Sequence, residues 1–537
     1  MSSAESDDNE VEFLLDGEEF FAEFRAQVDA VVAAPAAAGT YLRLAYWAAD
    51  AACPLGPGGP TLIARLTAAA AAGHQVDIIV YAAWEATAVR GMTGDVIERL
   101  VGPAQRQQAQ QAADQMAAGA TALQTAVNLA NAGLGGGAVP MRIYLEPINR
   151  WVPGASNHQK VLIASIAGQR TCLIGGFNLL ASYYDVVAHD RALYPLHWHD
   201  TAVRVRGPAT ADVEREWLRR WTKSGLPAAA NATAQVAYAD PQTGATRVAI
   251  ATTNAEGWIR ETDIQARLVR EIAAATDYIY FENYGFTDPT LVDALIARLA
   301  APAPPTLIVN LNNHWPADEA AFKWFNYVSW AKLALSTCTT CTVPDPGGLG
   351  GPLVLTRATA TRWRLRQDWN FWSTWRSISS GIANRNLEDD ALEWALPDGR
   401  AGTTRLRDLI AVDGGVRFYA PTAVVAPAGP SAPAYLHSKL ALFDDRVAMV
   451  GTANLTYRSM VYDGEIVAFI DDARVAAEIR ARLFSHWNPR LPLTPDNWDL
   501  IATVNAIEAP DRTYVRPLTI ADLSQVPPQN PLGFTWM

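Results

Sequence analysis

The sequence predicts an α/β protein built from two pseudo-symmetric α/β/α halves, each a mixed β-sheet flanked by helices, with a functional site at the interface between the halves. Three observations lead to this prediction. The chain has 537 residues, which exceeds the size of one hydrophobic core. Apolar, strand-like runs alternate with segments of helical periodicity, as they do in layered α/β folds. The same order of elements also occurs twice along the chain.

The repeat can be followed element by element. In the first half a helical segment at 18–34 leads into a strand-like run at 41–50, and a helix and a strand follow at 61–84. The second half has the same order at 263–288 and 290–315. Each half continues with a strand that carries His and Lys, a strand that ends near glycine and asparagine, and a strand followed by an amphipathic helix. Agreement over this many elements in one order predicts an internal duplication.

The duplication sets the predicted domain boundaries. We expect an N-terminal half at 1–228, a linker rich in Ala, Pro, Gly and Thr at 229–247, and a C-terminal half at 248–537. Two insertions break the symmetry, a polar, Ala-rich helical segment at about 103–138 and a Trp-rich segment at about 316–413. The tryptophans either pack an irregular loop or form an aromatic wall or interfacial surface, and the sequence leaves both interpretations open.

Charge and composition exclude several classes of protein. The formal net charge is −12, which does not favour a stable nucleic-acid complex, because phosphate binding needs a basic surface. Four cysteines do not form a disulfide framework, and Cys338 and Cys341 have no second pair nearby to complete a zinc site. The N-terminus lacks the regions of a secretory signal, and no apolar run approaches the roughly 18 residues of a membrane span. We therefore expect a soluble, cytoplasmic monomer that needs no metal or cofactor.

Two His-x-Lys motifs occupy equivalent places in the repeat, His158 with Lys160 and His437 with Lys439. Residues i and i+2 of a strand point to the same face, so each histidine projects together with its lysine. Equivalent strands that meet across a pseudo-twofold interface would bring both pairs into one pocket. There the lysines would stabilise an anionic group, one neutral imidazole would attack phosphorus, and the other imidazole, protonated, would donate to the leaving alkoxide. The residues therefore predict metal-free cleavage of a phosphodiester through a phosphohistidine.

Further polar residues of the repeat complete this predicted site. Each histidine needs an acceptor at Nδ1 to fix its tautomer, and the candidates are Asp200 and Glu465, one strand downstream in each half. Phosphate-binding candidates follow each motif, where an amide or hydroxyl group can donate or a glycine lets the substrate come close. They are Gly176, Asn178, Thr452 and Asn454.

The doubled motif resembles the phospholipase D superfamily. Its complete form, H-x-K-x4-D, is present as His437, Lys439 and Asp444, followed by a GTAN stretch. The first copy has Ser165 at the position of the aspartate, and the stretch after it is about three residues longer than in the second copy. The resemblance implies that Asp444 is structural, that His158 is the nucleophile and that His437 is the acid.

The same resemblance implies a substrate and a setting. The substrate would be a phospholipid or a similar organic phosphodiester, which is hydrolysed or transferred to an alcohol without a cofactor. Transient contact with a membrane surface would follow from such a substrate. The two α/β/α halves of this family, with the active site between them, agree with the duplication found in the residues.

Three alternatives stay open at this stage. A nuclease or non-lipid phosphodiesterase of the same superfamily would use the same site, although the acidic chain and the aromatic insertion favour a lipid or a small organic phosphodiester. A non-catalytic phosphate- or lipid-binding protein would keep the fold with a decayed first motif at Ser165. A metal site is the third alternative, because five side chains of suitable ligand chemistry lie in one loop-like stretch. They are His189, Asp190, His197, His199 and Asp200.

Overall fold

A computed structural model gives the fold. It describes residues 5–82, 103–147, 155–186, 189, 198–229, 246–256, 259–312 and 431–487, with shorter segments between 326 and 424 and at 515–517. Most of the predicted linker and of the Trp-rich insertion lies outside the described residues, as do Asp190, His197 and Cys338. None of the described helices combines the length and the apolar character needed to cross a bilayer.

The N-terminal part contains eight strands and four helices among its described residues. The strands are β1 (Glu5–Leu15), β2 (Tyr41–Tyr46), β3 (Gln75–Tyr81), β4 (Arg142–Glu146), β5 (Val161–Ile166), β6 (Gln169–Gly175), β7 (Trp198–His199) and β8 (Thr201–Arg206). The helices are α1 (Asp16–Ala33), α2 (Leu62–Ala71), α3 (Pro103–Ala132) and α4 (Thr210–Trp221). Helix α3 occupies the predicted helical insertion.

The C-terminal part adds the remaining described elements. Its strands are β9 (Thr246–Glu256), β10 (Ile259–Thr262), β11 (Tyr278–Asn283), β12 (Thr306–Leu311), β13 (Thr340–Val343), β14 (Leu353–Thr356), β15 (Arg364–Leu365), β16 (Ala391–Ala395), β17 (Ala401–Arg405), β18 (Ala411–Asp413), β19 (Val416–Val424), β20 (Ser431–Pro433), β21 (Tyr435–Leu436), β22 (Lys439–Phe443), β23 (Val447–Gly451), β24 (Glu465–Asp471) and β25 (Val515–Pro517). Its helices are α5 (Asp263–Ala274), α6 (Pro289–Leu299), α7 (Tyr457–Val461) and α8 (Ala473–Trp487).

The two parts build sheets of the same topology. In the first sheet the strand order is β1-β8-β6-β5-β2-β3-β4. In the second sheet the order β9-β24-β23-β22-β11-β12-β19 repeats it position by position. In both sheets the last three strands are mutually parallel and the other neighbours are antiparallel. The predicted α/β class with mixed sheets is confirmed, and the duplication extends to every strand of this order.

The first strand of each sheet was not anticipated from the sequence. Strand β1 begins with acidic, exposed residues at a sheet edge, so its apolar character appears only near Phe13–Leu15. It pairs with β8 along Glu10–Leu15 and, through Glu5, Ser6 and Asn9, with β9. One strand therefore belongs to both sheets and joins the two parts of the chain.

Three apolar cores hold the layers together. The central core lies between the sheets and contains inward-facing residues of both, together with α4 and α8, whose largest buried side chains there are Trp217, Trp221 and Trp487. Helices α1, α2 and α3 pack on the first sheet, and α5 and α6 pack on the second. Each fully buried large apolar side chain contributes about 1.5–3 kcal/mol, so this shared core fixes one sheet against the other.

The helices that follow the first parallel strand of each sheet begin in equivalent ways. Thr61 caps α2 by accepting a hydrogen bond from the backbone of Ala64 at 3.4 Å. Asp288 caps α6 by accepting one from Leu291 at 2.9 Å, and Pro289 occupies the first helical position. The loops between strand and helix therefore start and end at matching places in both halves, and each loop begins with an aromatic residue of the site described below.

Candidate active site

The two His-x-Lys motifs meet in one cleft. His158 and His437 both line it, and each is held there by the backbone of the opposite half. The N–H of His158 donates to the carbonyl of Gly464 at 2.9 Å, and the N–H of His437 donates to the carbonyl of His199 at 2.8 Å. Strand β21, just before the second motif, also pairs in parallel with β7 of the first half. Strand pairing across the interface is therefore what brings the two motifs together.

Each histidine of the cleft is oriented by a carboxylate that belongs to the opposite half. Nδ1 of His158 lies 3.0 Å from Oε1 of Glu465, although 307 positions separate them in the chain. Nδ1 of His437 lies 2.7 Å from Oδ2 of Asp200, across 237 positions. A carboxylate only accepts, so each Nδ1 carries the proton, and each Nε2 keeps its lone pair. Neither histidine is oriented by the acid of its own half.

The two lysines are buried and equivalently placed. Nζ of Lys160 donates to the carbonyl of His158 at 2.7 Å, and Nζ of Lys439 donates to the carbonyl of His437. Nζ of Lys439 also lies 2.9 Å from Nδ1 of His437, but the shorter contact of that nitrogen is with the carboxylate of Asp200. The Nζ groups of both lysines therefore stand beside the imidazoles, and burial lowers the pKa of Lys160 well below its ordinary value.

Burial and these charges shift the pKa values of the site. Burial lowers the pKa of His158 and of His437 well below the ordinary value, and the neighbouring lysines lower both further. Burial also lowers the pKa of Lys439 to about 8. Burial raises the pKa of Asp200 and of Glu465 to about 7, against the opposing effect of the lysines. Both imidazoles are therefore neutral without an anion in the cleft, and either one could act as a nucleophile.

Aromatic side chains form the walls. The ring of Trp47, which directly follows β2, lies 5.9 Å from His158, and that of Tyr284, which directly follows β11, lies 5.6 Å from His437. These equivalent residues also face the lysines, at 5.8 Å for Lys160 and 5.7 Å for Lys439. Among the described residues, Tyr183, Trp198 and Tyr435 also line the cleft. This wall was not predicted from the sequence, although an aromatic residue ends the matching strand-like run in each half.

Two of the predicted phosphate-binding residues support the carboxylates instead. A Cβ on Gly176 would lie 2.0 Å from Oδ1 of Asp200, so only glycine leaves room for that carboxylate. The hydroxyl of Thr452 donates to Oε2 of Glu465 at 2.6 Å and accepts from the backbone N–H of Ile466 at 3.0 Å. Both residues thus determine where the carboxylates lie.

The two predicted asparagines are placed differently from each other. Asn454 lines the cleft, close to both motifs. Asn178 is buried, where its amide donates to the hydroxyl of Tyr183 at 2.8 Å and its oxygen accepts from the backbone of Ala48 at 3.1 Å. The structure therefore brings Asn454 to the cleft surface, while Asn178 fixes the loop that carries Trp47 and the hydroxyl of Tyr183.

Asp444 lies away from the cleft, at the turn after β22. Its carboxylate accepts hydrogen bonds from the backbone N–H groups of Thr276, Asp277 and Tyr278 at 2.6–2.9 Å, which fixes the entry into β11. Its φ is +54°, in the left-handed region that aspartate tolerates better than most residues.

In the first half the turn after β5 is likewise connected to the entry into β2, but here the side chain at the motif position donates a hydrogen bond instead of accepting one. Ser165 lies within the longer β5, and its hydroxyl donates to the carbonyl of Gly39 at 2.6 Å. The hydroxyl of Thr40, just before β2, accepts from the backbone of Ala167 in the turn at 3.0 Å. The departure from the motif at Ser165 is therefore compensated locally, far from the imidazoles.

Of the five side chains that suggested a metal site, the three that the structure describes lie in two different places. Asp200 faces His437, whereas His189 and His199 are buried outside the lining of the cleft, beside Asp16 and His486. Asp190 and His197 lie outside the described residues.

Comparisons with known proteins agree with this site. Residues 398–487, which contain the second motif, match the family described as "Cardiolipin synthase, PLD-like domain". A stretch of 46 residues is 41% identical to cardiolipin synthase 1 of Staphylococcus aureus strain COL and 44% identical to cardiolipin synthase of strain Mu50. Each of these matches covers 9% of this chain and 9% of the relative, so only a small part of the curated relatives is spanned.

Solved structures with some similarity include two other enzymes. Phosphatidylserine synthase of Haemophilus influenzae Rd KW20 is 12% identical with a TM-score of 0.44, over 95% of this chain and 87% of that one. Polyphosphate kinase from Porphyromonas gingivalis is 11% identical with a TM-score of 0.39, over 88% of this chain and 46% of that one. The matched region, residues 398–487, is similar to a PLD-like domain and carries one of the two His-x-Lys motifs of the cleft.

Proposed function

We propose that the chain is a phosphodiesterase of the phospholipase D type, which cleaves a phospholipid or a similar organic phosphodiester through a covalent phosphohistidine and passes the phosphatidyl group to water or an alcohol. The observation that carries this proposal is the pair of His–carboxylate contacts made between opposite halves in one cleft, His158 with Glu465 and His437 with Asp200. A binding protein would have no need of two imidazoles whose tautomers are both fixed.

In the first step, Nε2 of His158 attacks phosphorus. The new N–P bond forms as the P–O bond to the leaving group breaks, and His437, protonated at Nε2, gives that proton to the leaving oxygen. A phosphodiester carries one negative charge, which offsets the two lysines and favours protonation of His437 when substrate binds. The assignment of His158 as nucleophile follows the resemblance to the superfamily.

In the second step, His437 acts as a base. It takes a proton from water or from an alcohol, whose oxygen attacks phosphorus as the N–P bond to His158 breaks. Lys160 and Lys439 stabilise the non-bridging oxygens in both transition states, a role that preorganised cationic donors can fill without a metal. His437 ends this step protonated, and when the product leaves it releases that proton to solvent, so both imidazoles become neutral again.

The walls of the cleft support an organic substrate. Rings of tryptophan and tyrosine flank both imidazoles, which suits the apolar groups next to the phosphate of a lipid or an aryl ester. The matched relatives are named as cardiolipin synthases, which agrees with a phospholipid substrate. A substrate of this class would be reached by transient contact with a membrane surface.

The proposal is tested by a substrate screen with defined variants. Phosphatidylcholine, phosphatidylglycerol, bis-p-nitrophenyl phosphate and single-stranded DNA are compared with and without a primary alcohol. Turnover should disappear in His158→Ala and in His437→Ala, and it should persist in His74→Gln, which changes a buried histidine outside the lining of the cleft. Full activity in either alanine variant would overturn the two-histidine mechanism.

The covalent intermediate provides the sharper experiment. p-Nitrophenolate leaves without an acid, so His437→Ala treated with bis-p-nitrophenyl phosphate should accumulate an acid-labile phosphohistidine on His158. His158→Ala should form no adduct. An adduct on His437 in the His158→Ala variant would reverse the two roles, and no adduct in any variant would favour the non-catalytic alternative.

A further inference from the structure

Behind the cleft lies a buried cluster of four side chains that the proposed reaction does not use. We call Asp16, His189, His199 and His486 the buried histidine cluster. The first three are 0% exposed and His486 is 5% exposed. Asp16 begins α1, His199 ends β7, and His486 lies in the last turn of α8. Elements of both halves therefore contribute to one small volume.

The potential ligand atoms converge. One nitrogen or oxygen from each of the four residues lies within 4.8 Å of all the others. Nε2 of His189 is 2.9 Å from Nε2 of His486, which is 3.6 Å from Oδ2 of Asp16, and Nδ1 of His199 is 2.7 Å from Oδ1 of Asp16. Metal bonds of about 2.0–2.1 Å place neighbouring tetrahedral ligands roughly 3.3 Å apart. The observed separations of 2.7 and 2.9 Å are shorter than that value, and the separation of 3.6 Å is longer.

The outer nitrogens of two histidines are held by carboxylates. Nδ1 of His189 lies 2.9 Å from Oδ2 of Asp185, which leaves Nε2 facing the cluster. Nε2 of His199 lies 2.8 Å from Oε1 of Glu282, which leaves Nδ1 facing the cluster. This arrangement of carboxylate, imidazole and metal is what orients histidine ligands in metalloproteins and raises their basicity. Both outer carboxylates are fully buried.

Hydrogen bonds alone do not satisfy every polar atom or balance every charge of this cluster. Oδ2 of Asp16 is buried and accepts no hydrogen bond within the described part of the chain. Asp16 and Glu282 are fully buried carboxylates that share His199 as an ion-pair partner, and one imidazolium balances only one of their two charges. Asp16 and His189 also adopt φ values of +59° and +46°, which other interactions must stabilise. A divalent cation would satisfy the free oxygen and balance the charge.

We propose that the buried histidine cluster is a structural site for a tetrahedral divalent transition-metal ion, with zinc as the metal that best fits three imidazole nitrogens and one carboxylate oxygen. No metal was expected from the sequence, and of the five alternative ligands considered there this site uses His189 and His199. All four positions are filled by protein, so the ion takes no part in catalysis.

The site would stabilise the second half of the active site. The carbonyl of His199 accepts the hydrogen bond from the N–H of His437 at 2.8 Å, and the N–H of Asp16 donates to the carbonyl of Asp200 at 3.0 Å. A metal bound to His199 and Asp16 would therefore fix the backbone on both sides of the His437–Asp200 pair. It would also cross-link α8 of the second half to α1 and β7 of the first.

The test uses the full chain and readouts other than activity. Because the cluster is buried, metal is removed by unfolding in guanidinium with EDTA, and the protein is refolded with Zn²⁺ or Co²⁺ after the chelator is removed. Metal content is measured by inductively coupled plasma mass spectrometry, and Co²⁺ geometry by visible absorption. We expect about one metal ion per chain, an intense tetrahedral Co²⁺ band, and a higher Tm with metal than without.

Matched variants locate the ion. His189→Gln and His486→Gln should lose the bound metal and the Co²⁺ band, whereas His74→Gln should keep both. Wild-type protein that refolds fully with no stoichiometric metal, no tetrahedral band and an unchanged Tm would overturn the proposal, even if the variants failed to fold. Bound metal that persists in folded His486→Gln would also overturn it.

Discussion

The replacement Gly176→Ala tests whether the position of Asp200, and not only its charge, controls the reaction. The new Cβ would lie 2.0 Å from Oδ1 of Asp200 and 2.5 Å from its Cγ and Oδ2, whereas ordinary contacts begin at 3.4 Å. The carboxylate must therefore move by about 1.4 Å or more. Such a displacement breaks the 2.7 Å contact with His437 and frees that imidazole to rotate or change tautomer.

The expected loss follows from this displacement. A misplacement of about 1 Å typically reduces a rate by about 10²-fold, and loss of the correct histidine tautomer by up to about 10⁴-fold. We expect kcat of Gly176→Ala to fall by about 10²- to 10⁴-fold on an alkyl phosphodiester, with little change in KM. Burst release of p-nitrophenol should fall much less, because that leaving group does not need the proton from His437.

The assay compares an alkyl phosphodiester with bis-p-nitrophenyl phosphate under pre-steady-state conditions. Gly119→Ala is the matched control, because a Cβ there meets nothing within 4 Å. A retained p-nitrophenol burst would show that Gly176→Ala is folded, which far-ultraviolet circular dichroism and Tm would check independently. Wild-type kcat on the alkyl substrate in the folded variant would refute the argument that Gly176 acts through Asp200.

Three further predictions concern the lysine, the motif aspartate and the pH dependence. Lys439→Gln should lower kcat by about 10²- to 10³-fold, as loss of one preorganised donor does, and an unchanged rate would show that this lysine does not contact the phosphate. Asp444→Ala should lower the free energy of unfolding by about 1–3 kcal/mol, because three backbone N–H groups lose their acceptor, while kcat of the folded enzyme stays within twofold. Asp444→Asn keeps an acceptor and tolerates the positive φ, so it should lose less stability. Equal losses in the two variants would contradict this account. Burial raises the pKa of Glu465 to about 7, and its ionised form orients His158, so kcat/KM should decrease as the pH falls through about 7. The stability of the fold should have the opposite pH dependence. The folded-state pKa of Glu465 lies above its unfolded value, so its contribution to stability is full below about pH 4.5 and is lost as the pH rises through about 7. Between pH 5 and 8 the Tm of the wild type should therefore fall more steeply than that of Glu465→Gln, and parallel curves would refute this.

Much of the site could be predicted because it is encoded locally. His158 with Lys160, and His437 with Lys439, share a strand face through their spacing alone, and repetition of the motif indicated that both pairs act together. Asp200 and Glu465 were recognised as acceptors because they follow the motifs at equivalent places. The choice of partner was not predictable, because each carboxylate contacts the histidine of the other half, and nothing in a single strand encodes that exchange.

Other features depended on how the sheets pack. The acidic start of β1 concealed a strand that joins both sheets, because at an edge the usual alternation of buried and exposed residues is incomplete. Gly176 and Thr452 were expected to bind phosphate, yet their closest contacts are with Asp200 and Glu465, which only the stacked strands bring into reach.

The sequence by itself determined the duplication, most of the strand-and-helix order and the two His-x-Lys pairs, because periodicity and spacing are properties of neighbouring residues. The tertiary structure alone decided which carboxylate serves which histidine, which aromatic rings enclose the cleft, and that His189 meets His486 across 297 positions. These contacts arise from the burial of two apolar sheet faces against each other, and that burial fixes distant residues at distances that no local pattern records.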